Sequence, residues 1–269
     1  MSGAGINSVG MYDVEAHVAE IYDRQEDSTD DVDLIRKLIA GRGPLRILEP
    51  FCGTGRTLVP MALDGHTLVG IDRAEGMLAR ARAKIKRAPR HAQDKVTLVK
   101  ADVLAVGWPR DFDLVILGGN CLYELATVGE QERCIAEAAL SLRRGGCLFL
   151  DNDHMEGELA ESWRRLDVDE AAFPTGTCDD GTDIQSRWRV VWFDAANRLA
   201  RYWRQTTVTF VDGRVETHEY LMQKHPPSTA EMRAWIEAAG LTVTKMYGDR
   251  AGGPYYDASN RAIFWASKG

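Results

Sequence analysis

Apolar and polar positions follow two different periods along this chain, and the change from one to the other marks its parts. Between residues 44 and 151, short apolar runs recur at intervals long enough to hold a helix. Ile47-Leu48 leads into a glycine turn and a helix, and Val69-Gly70-Ile71-Asp72 follows as the next strand. Val96 to Leu104 reads as a third strand, and Phe112 to Leu117 has the unbroken apolar character of a central parallel strand. A helix from about Gly129 to Leu142 then leads into Cys147 to Asp151 as a fifth strand. Ahead of this series, Tyr12 to Gln25 and Asp30 to Ala40 are expected helices, the second carrying Leu34, Ile35, Leu38 and Ile39 at helical spacing.

The pattern after the fifth strand changes to period two. Gln185 to Phe193 places Trp188, Val190 and Trp192 on one face and Arg187 and Arg189 on the other. Leu199 to Val211 and Arg214 to Met222 continue it, joined by the hairpin dipeptide Asp212-Gly213. Helical spacing returns after the capping box Ser228-x-x-Glu231 and stops at Gly240; strands at Leu241–Tyr247 and Arg261–Ser267 then complete the sheet. The expected architecture is α/β: a Rossmann-like, seven-stranded, mostly parallel sheet flanked by helices, with an antiparallel three-stranded lid insertion. Residues 1–43 would form a helical cap, 44–151 and 226–269 the core, and 152–225 the lid over the substrate site.

Composition narrows the class. A chain of 269 residues, 45% hydrophobic, can bury one α/β core with an elaboration. No apolar run approaches the roughly 18 residues of a membrane span, and Met1-Ser2-Gly3-Ala4-Gly5 lacks a basic region followed by an apolar core. A cytoplasmic protein without a membrane partner is expected. Cys52, Cys121, Cys134, Cys147 and Cys178 form no Cys-x-x-Cys pair and read as reduced structural thiols. The net charge of −7 weighs against a nucleic-acid partner, which would require Lys and Arg along a phosphate track.

The glycine turn carries the chemistry. Glu49-Pro50-Phe51-Cys52-Gly53-Thr54-Gly55 and Asp72 have the spacing of a nucleoside-binding βαβ unit, with Asp72 placed for ribose hydroxyls. A dinucleotide fingerprint wants a third glycine where Leu58 stands, and Glu49 would repel a pyrophosphate. An NAD-type oxidoreductase is therefore disfavoured. Glu49 suits a ligand with an ammonium and a sulfonium, whose carboxylate can meet backbone N–H groups near a helix N-terminus.

Glu49-x-x-Cys52-Gly53-Thr54-Gly55 resembles motif I of the class I S-adenosylmethionine-dependent methyltransferases, and Asp72 their ribose-binding acid. The resemblance implies S-adenosylmethionine as cofactor and S-adenosylhomocysteine as product. It implies that Arg73 lies beside the ribose acid and that Asp102 hydrogen-bonds the adenine amino group. The Val103 backbone would hold a ring nitrogen, and Gly118 would sit at the end of the fourth strand facing the methyl. The lid resembles that of glycine N-methyltransferase and of bacterial N,N-dimethyltransferases acting on nucleotide-linked amino sugars. In those families it closes over a small substrate and often supports oligomers, so a homodimer through the lid is compatible with the resemblance.

The acceptor is expected to be a small-molecule amine, with a hydroxyl as the alternative. Gly119-Asn120-Cys121-Leu122-Tyr123 lacks the Asp/Asn-Pro-Pro-aromatic run of base-flipping amino-methylating DNA enzymes. Asn120, Tyr123 and His154 are the candidate catalytic residues, with Asn120 orienting substrate and His154 taking its proton. Tyr22, Asp153, Tyr220 and His225 join Asn120 and His154 as candidate substrate contacts. Packing or turn satisfaction is the competing reading of each. Asp151-Asn152 resembles the metal-binding pair of catechol-type O-methyltransferases, but glycines stand where those enzymes need an acid after the fourth strand, so no metal is expected. Arg250, Tyr255 and Tyr256 fall in a loop, Gly248 to Gly253 and beyond, read as mobile surface. A non-catalytic cofactor-binding protein is the rival from another class.

Overall fold

The structure is a computed structural model and describes residues 16–269. Tyr12, expected in the first helix, lies outside the described residues. Two helices, α1 (Ala16–Gln25) and α2 (Asp30–Leu38), precede the first strand, β1 (Arg46–Pro50). Next come α3 (Leu58–Leu63), β2 (Thr67–Asp72), α4 (Glu75–Arg87), the short α5 (Arg90–Gln93), β3 (Val96–Lys100) and β4 (Phe112–Leu117). After a 3-10 turn at Cys121–Glu124, α6 (Val128–Ser141) leads into a long β5 (Leu142–Asp153). The lid holds α7 (Glu161–Arg164), β6 (Glu170–Thr177), β7 (Asp183–Asp194), β8 (Leu199–Thr209) and β9 (Val215–Lys224). The chain closes with α8 (Thr229–Ala238), β10 (Leu241–Tyr247) and β11 (Arg261–Lys268).

The core sheet runs β10-β11-β5-β4-β1-β2-β3, with β11 the antiparallel member between β10 and β5. Because β1 pairs with β2 on one side and β4 on the other, the winding reverses there and leaves a crevice at the strands' C-terminal ends. Side chains alternate across the sheet as period two demands. Leu48, Val115 and Leu148 pack on the α6 and α8 side, while Ile47, Leu114 and Phe149 pack on the α2 and α3 side. Thr127 and Ser228 cap α6 and α8 through complete capping boxes.

The lid has four strands, β6-β7-β8-β9, where the pattern predicted three. Pro174 and Gly176 interrupt the alternation in β6, and a register shift between Ala172 and Gly176 accommodates them. A second shift, between Val190 and Trp192, corrects the face assignment in β7. Trp188 and Val190 stay on the inner face with Tyr202, but Trp192 opposes Arg201 and stacks on it at 4.5 Å, on the outer face.

Helix α1 ties the lid to the core. Val18 and Ile21 are buried against Cys178, Ile184 and Val208 of the lid. Gln25 donates to the Thr175 carbonyl at 3.1 Å, and His17 meets Asp180 at 2.9 Å. On its other face Asp23 pairs with Lys84 of α4, and Ala16 and Ala19 pack closely on Gly76.

Gly70 in β2 is required by space. A Cβ there would stand 2.6 Å from Leu58 Cδ1 and 2.8 Å from Cys52 Sγ, under the glycine turn. Gly70→Ala should destabilise by about 1–3 kcal/mol through overpacking and lower Tm by roughly 3–10 °C, measured by thermal denaturation.

Candidate active site

The crevice at the reversal point is a cavity of about 270 Å³. Phe51, with φ of 61°, ends β1 and turns the chain so that Cys52, Gly53 and Thr54 face the cavity. Gly53 and Gly55 have φ of 52° and 73°, conformations that glycine adopts without strain. Gly55 itself does not line the cavity; its N–H closes the turn on the Cys52 carbonyl at 2.9 Å, and its α-carbon packs near Ala81. Asp72 Oδ2 accepts from the Gly53 N–H at 2.8 Å and Oδ1 from the Ala74 N–H at 2.9 Å, so the acid at the end of β2 braces the turn. Arg73, Asp102 and Val103 line the nucleoside end, and Gly118 lines it from β4.

Glu49 is the electrostatic centre of this cavity. Its side chain is buried, Oε2 has no hydrogen-bond partner, and burial pushes the carboxyl up to about 8 despite the nearby Arg56 cation and a hydrogen bond from Thr57. Arg56 is committed elsewhere. Its guanidinium grips Asp31 of α2 through two contacts of 2.6 and 2.5 Å. Burial works against the Arg56 cation, but Asp31 more than offsets it and holds its pKa above the ordinary value. A buried carboxylate oxygen without a donor, opposite a glycine turn and two further acids, fits a ligand bearing an ammonium.

Tyr22 of α1 lines the same cavity and meets Phe173 of the lid edge-on at 5.7 Å; burial pushes its hydroxyl up to about 12. Glu124, Leu125 and Met222 complete the wall. Met222 also lines a second cavity of about 370 Å³ beneath the lid, with Trp163, Trp188, Tyr202 and Arg204 among its walls.

The loops after β4 and β5 depart from the sequence expectation. Asn120, Tyr123, Asp153 and His154 line neither cavity. Asp151 is fully buried and bound by Arg250 at 2.8 Å and Arg261 at 2.5 Å. Arg261 continues to Asp153 at 2.7 Å and to Asn120 Oδ1 at 3.0 Å, while Asn120 Nδ2 donates to Asp153 at 3.1 Å. Asn120 is thus a clamp between the two loops, with φ of 61°, rather than a substrate-orienting residue. His154 Nδ1 lies 3.0 Å from both the Thr229 and Tyr255 hydroxyls, which tie the imidazole to α8 and to the Gly-rich loop. Tyr123 stacks edge-on against Trp163 at 5.8 Å, and burial raises its hydroxyl pKa.

His225 is another correction: it is buried, with Nδ1 2.8 Å from Gln131 Oε1, and pins the lid's return to α6. Tyr220 sits on the lid's inner face opposite Arg204 but lines neither cavity. The Gly-rich loop is anchored rather than bland, through Arg250 to Asp151 and Tyr255 to His154; of Arg250, Tyr255 and Tyr256, Tyr256 alone is exposed. Sequence reasoning missed Arg56, Glu124 and Met222. Glu124 was signalled as the lone charge in the run Cys121 to Ala126, and Met222 by its period-two position on β9.

The reversed-winding seven-stranded sheet, the acid-lined glycine crevice and the β lid agree with what comparison with known proteins supports, an S-adenosylmethionine-dependent methyltransferase. Residues 47–146 match the family described as methyltransferase domain. A protein of Geobacillus sp. (strain WCH70) with a provisional methyltransferase name is 24% identical over 232 residues, 84% of this chain and 86% of that one. An S-adenosylmethionine-dependent methyltransferase from Clostridium acetobutylicum shares the fold with a TM-score of 0.71 at 15% identity, covering 94% of this chain and 98% of that one. The sugar N-methyltransferase KedS8 from Streptoalloteichus gives 0.68 at 18% identity, covering 100% and 98%. Among the described residues no helix is long and apolar enough to cross a membrane.

The Glu49 carboxyl has a sign-definite consequence. The folded protein holds this proton up to about pH 8 whereas the ordinary carboxyl value is 4.5, so the cofactor-free fold loses stability as pH rises through that window. Glu49→Gln should remove this slope and gain on wild type by up to roughly 4 kcal/mol by pH 8, read from paired denaturation curves at pH 5 and 8.

Proposed function

We infer that the protein transfers a methyl group from S-adenosylmethionine to the amine nitrogen of a small molecule held under the lid. The observation that carries this reading is Met222, which lines both cavities and so joins the cofactor crevice to acceptor-sized space. Similarity of fold to a sugar N-methyltransferase over the whole chain supports nitrogen as the acceptor. The acidic balance of the chain supports a substrate other than nucleic acid.

S-adenosylmethionine supplies an electrophilic methyl on a sulfonium. Glu49 would pair with the ammonium of its methionine portion, the glycine turn would offer N–H groups, Asp72 would accept from the ribose, and Asp102 and Val103 would hold the adenine. Binding of a cation there lowers the pKa of Glu49 and releases its proton. The protein then has to hold a lone pair about 3 Å from the methyl carbon and exclude water. Closure by Tyr22 and the lid serves that end.

Glu124 takes the place first given to His154. It lines the crevice beside Met222, just beyond β4, and no hydrogen bond or ion pair occupies its carboxylate among the described residues. Its charge is felt by both the Tyr22 and Tyr220 hydroxyls. Glu124 would accept the proton that the acceptor nitrogen gives up when it is methylated.

Calorimetry tests the cofactor site: S-adenosylhomocysteine should bind and NAD should not. Asp72→Asn, which keeps acceptors for the Gly53 and Ala74 amides, should weaken binding about tenfold by removing a charged acceptor. Tight NAD binding without S-adenosylhomocysteine binding would overturn the reading.

Screening amine and hydroxyl metabolite pools for S-adenosylhomocysteine release and mass gain identifies the acceptor, and product analysis separates N- from O-methylation. On that acceptor, Glu124→Gln should lower turnover by roughly 10²-fold with cofactor affinity unchanged. His154→Gln should change turnover less than about threefold. The reverse ranking would restore His154 as the base.

A further inference from the structure

The second cavity differs in character from the crevice it adjoins. Acids mark the crevice: Glu49, Asp72, Asp102 and Glu124 all line it. Among the described residues no carboxylate lines the lid cavity, and two cationic side chains, Arg204 and Lys224, do. Neither makes an ion pair among the described residues; Arg204 Nη2 donates to the uncharged Phe173 carbonyl, while Arg204 Nε is buried without a hydrogen-bond partner. In a chain of net charge −7, two cations without an acidic partner in the walls of one cavity call for an anionic ligand.

The other walls are rings. Trp163, Trp188, Tyr202 and Phe173 line the cavity, with Trp188 and Tyr202 centred 4.9 Å apart and Trp163 edge-on to Tyr202 at 5.8 Å. These side chains come from β6, β7, β8 and α7, so the cavity exists only when the lid is assembled. Strand register places Trp188 opposite Arg204 and Tyr202 opposite Met222, which puts a flat apolar surface, a cation and the residue shared with the crevice on one face. Aromatic faces of this kind take a planar or ring-shaped body, and an Arg–Lys pair takes an anionic oxygen group.

We propose that the lid cavity binds the non-reacting part of the acceptor, a ring-bearing group that carries a carboxylate or phosphate. This rests on the reading of the crevice as the methyl-donor site. The anionic end is fixed by Arg204 and Lys224, the ring lies among the tryptophans, and the nucleophile projects past Met222 toward Glu124. The arrangement reverses a simple expectation from the acidic chain, since a purely cationic amine would meet two like charges under the lid. It also assists the chemistry: cations near the acceptor disfavour its ammonium form and leave the amine lone pair available.

Ligand-observed NMR titrations of protein saturated with S-adenosylhomocysteine test this, using phenyl phosphate, benzoate, benzyl alcohol, benzylamine and inorganic phosphate as probes. Phenyl phosphate or benzoate should bind at least about tenfold more tightly than benzyl alcohol, and benzylamine should bind weakest. The stronger of the two anions identifies phosphate or carboxylate as the preferred group. Lys224→Gln and Arg204→Gln should each remove about tenfold of the anion's affinity and leave benzyl alcohol unchanged; Lys224, half-buried at a strand end, serves if the Arg204 variant fails to fold. Equal or tighter binding of benzylamine, no saturable binding of either aromatic anion, or unchanged affinity in the Lys224 variant would overturn the proposal. Inorganic phosphate binding as tightly as phenyl phosphate would overturn the ring-binding part. S-adenosylhomocysteine affinity measured on the same samples separates the two readings: intact cofactor binding without anion preference sinks the lid proposal alone, and absent cofactor binding sinks the methyl-transfer reading.

Discussion

Burial of the Asp151 carboxylate at the end of a central strand sets the terms for the loops around it. A charge with no exposed surface needs compensation, and breaking such a pair by removing one partner typically costs 3–5 kcal/mol. Here the compensation comes from Arg250 and Arg261, which arrive from the last two strands' connection and from β11. Arg261 then recruits Asp153 and Asn120, so that the loops after β4 and β5 are locked to each other. Asn120 is held in that lock, and His154 is tied through Nδ1 to Thr229 and Tyr255. Glu124, one short turn beyond Asn120, lines the crevice, whereas the clamp residues Asn120 and Asp153 do not.

A second constraint divides the interior by charge. The cofactor crevice keeps a buried acid whose second oxygen lacks a partner, a cost the fold carries until a cation arrives. The lid cavity keeps two cations and, among the described residues, no carboxylate. The two halves meet at Met222, a flexible apolar side chain that can adapt its shape without adding charge at the junction. Each half thus repels what the other attracts. A donor with ammonium and sulfonium groups is directed to one side, and an anionic body to the other.

The lid is held at two places by different physics. α1 buries Val18 and Ile21 against the lid's own core and turns its acidic side, Glu20 and Asp23, toward Arg80 and Lys84 of α4. At the opposite end, Gln131 reads both the His225 and Leu122 carbonyls at 2.9 Å, so the lid's return strand is tied to the helix that follows the β4 loop. Tyr22 lies on the first of these ties and in the crevice wall. Any shift of the lid on α1 therefore moves a side chain of the donor site.

Much of this was legible in the residues themselves, because it depends on near neighbours. Five apolar runs at helix-length spacing specify a parallel sheet, Gly53 and Gly55 specify a turn, and Asp72 follows from the strand that precedes it. The Ser228 capping box is a four-residue property and was readable as such. The fourth lid strand was not, since Pro174 and Gly176 erase the alternation that a register shift restores. Trp192 kept its period in the sequence and lost it to one extra residue in the strand. The roles of Asn120, Asp153 and His154 were beyond the sequence for a different reason: polar residues at a strand end are equally suited to substrate and to a distant partner. Which they met was decided by Arg250, Arg261, Thr229 and Tyr255, between 75 and 141 residues away along the chain. Local pattern determines the elements and the donor turn; only the packing of remote segments decides which charges are spent on the fold and which remain for chemistry.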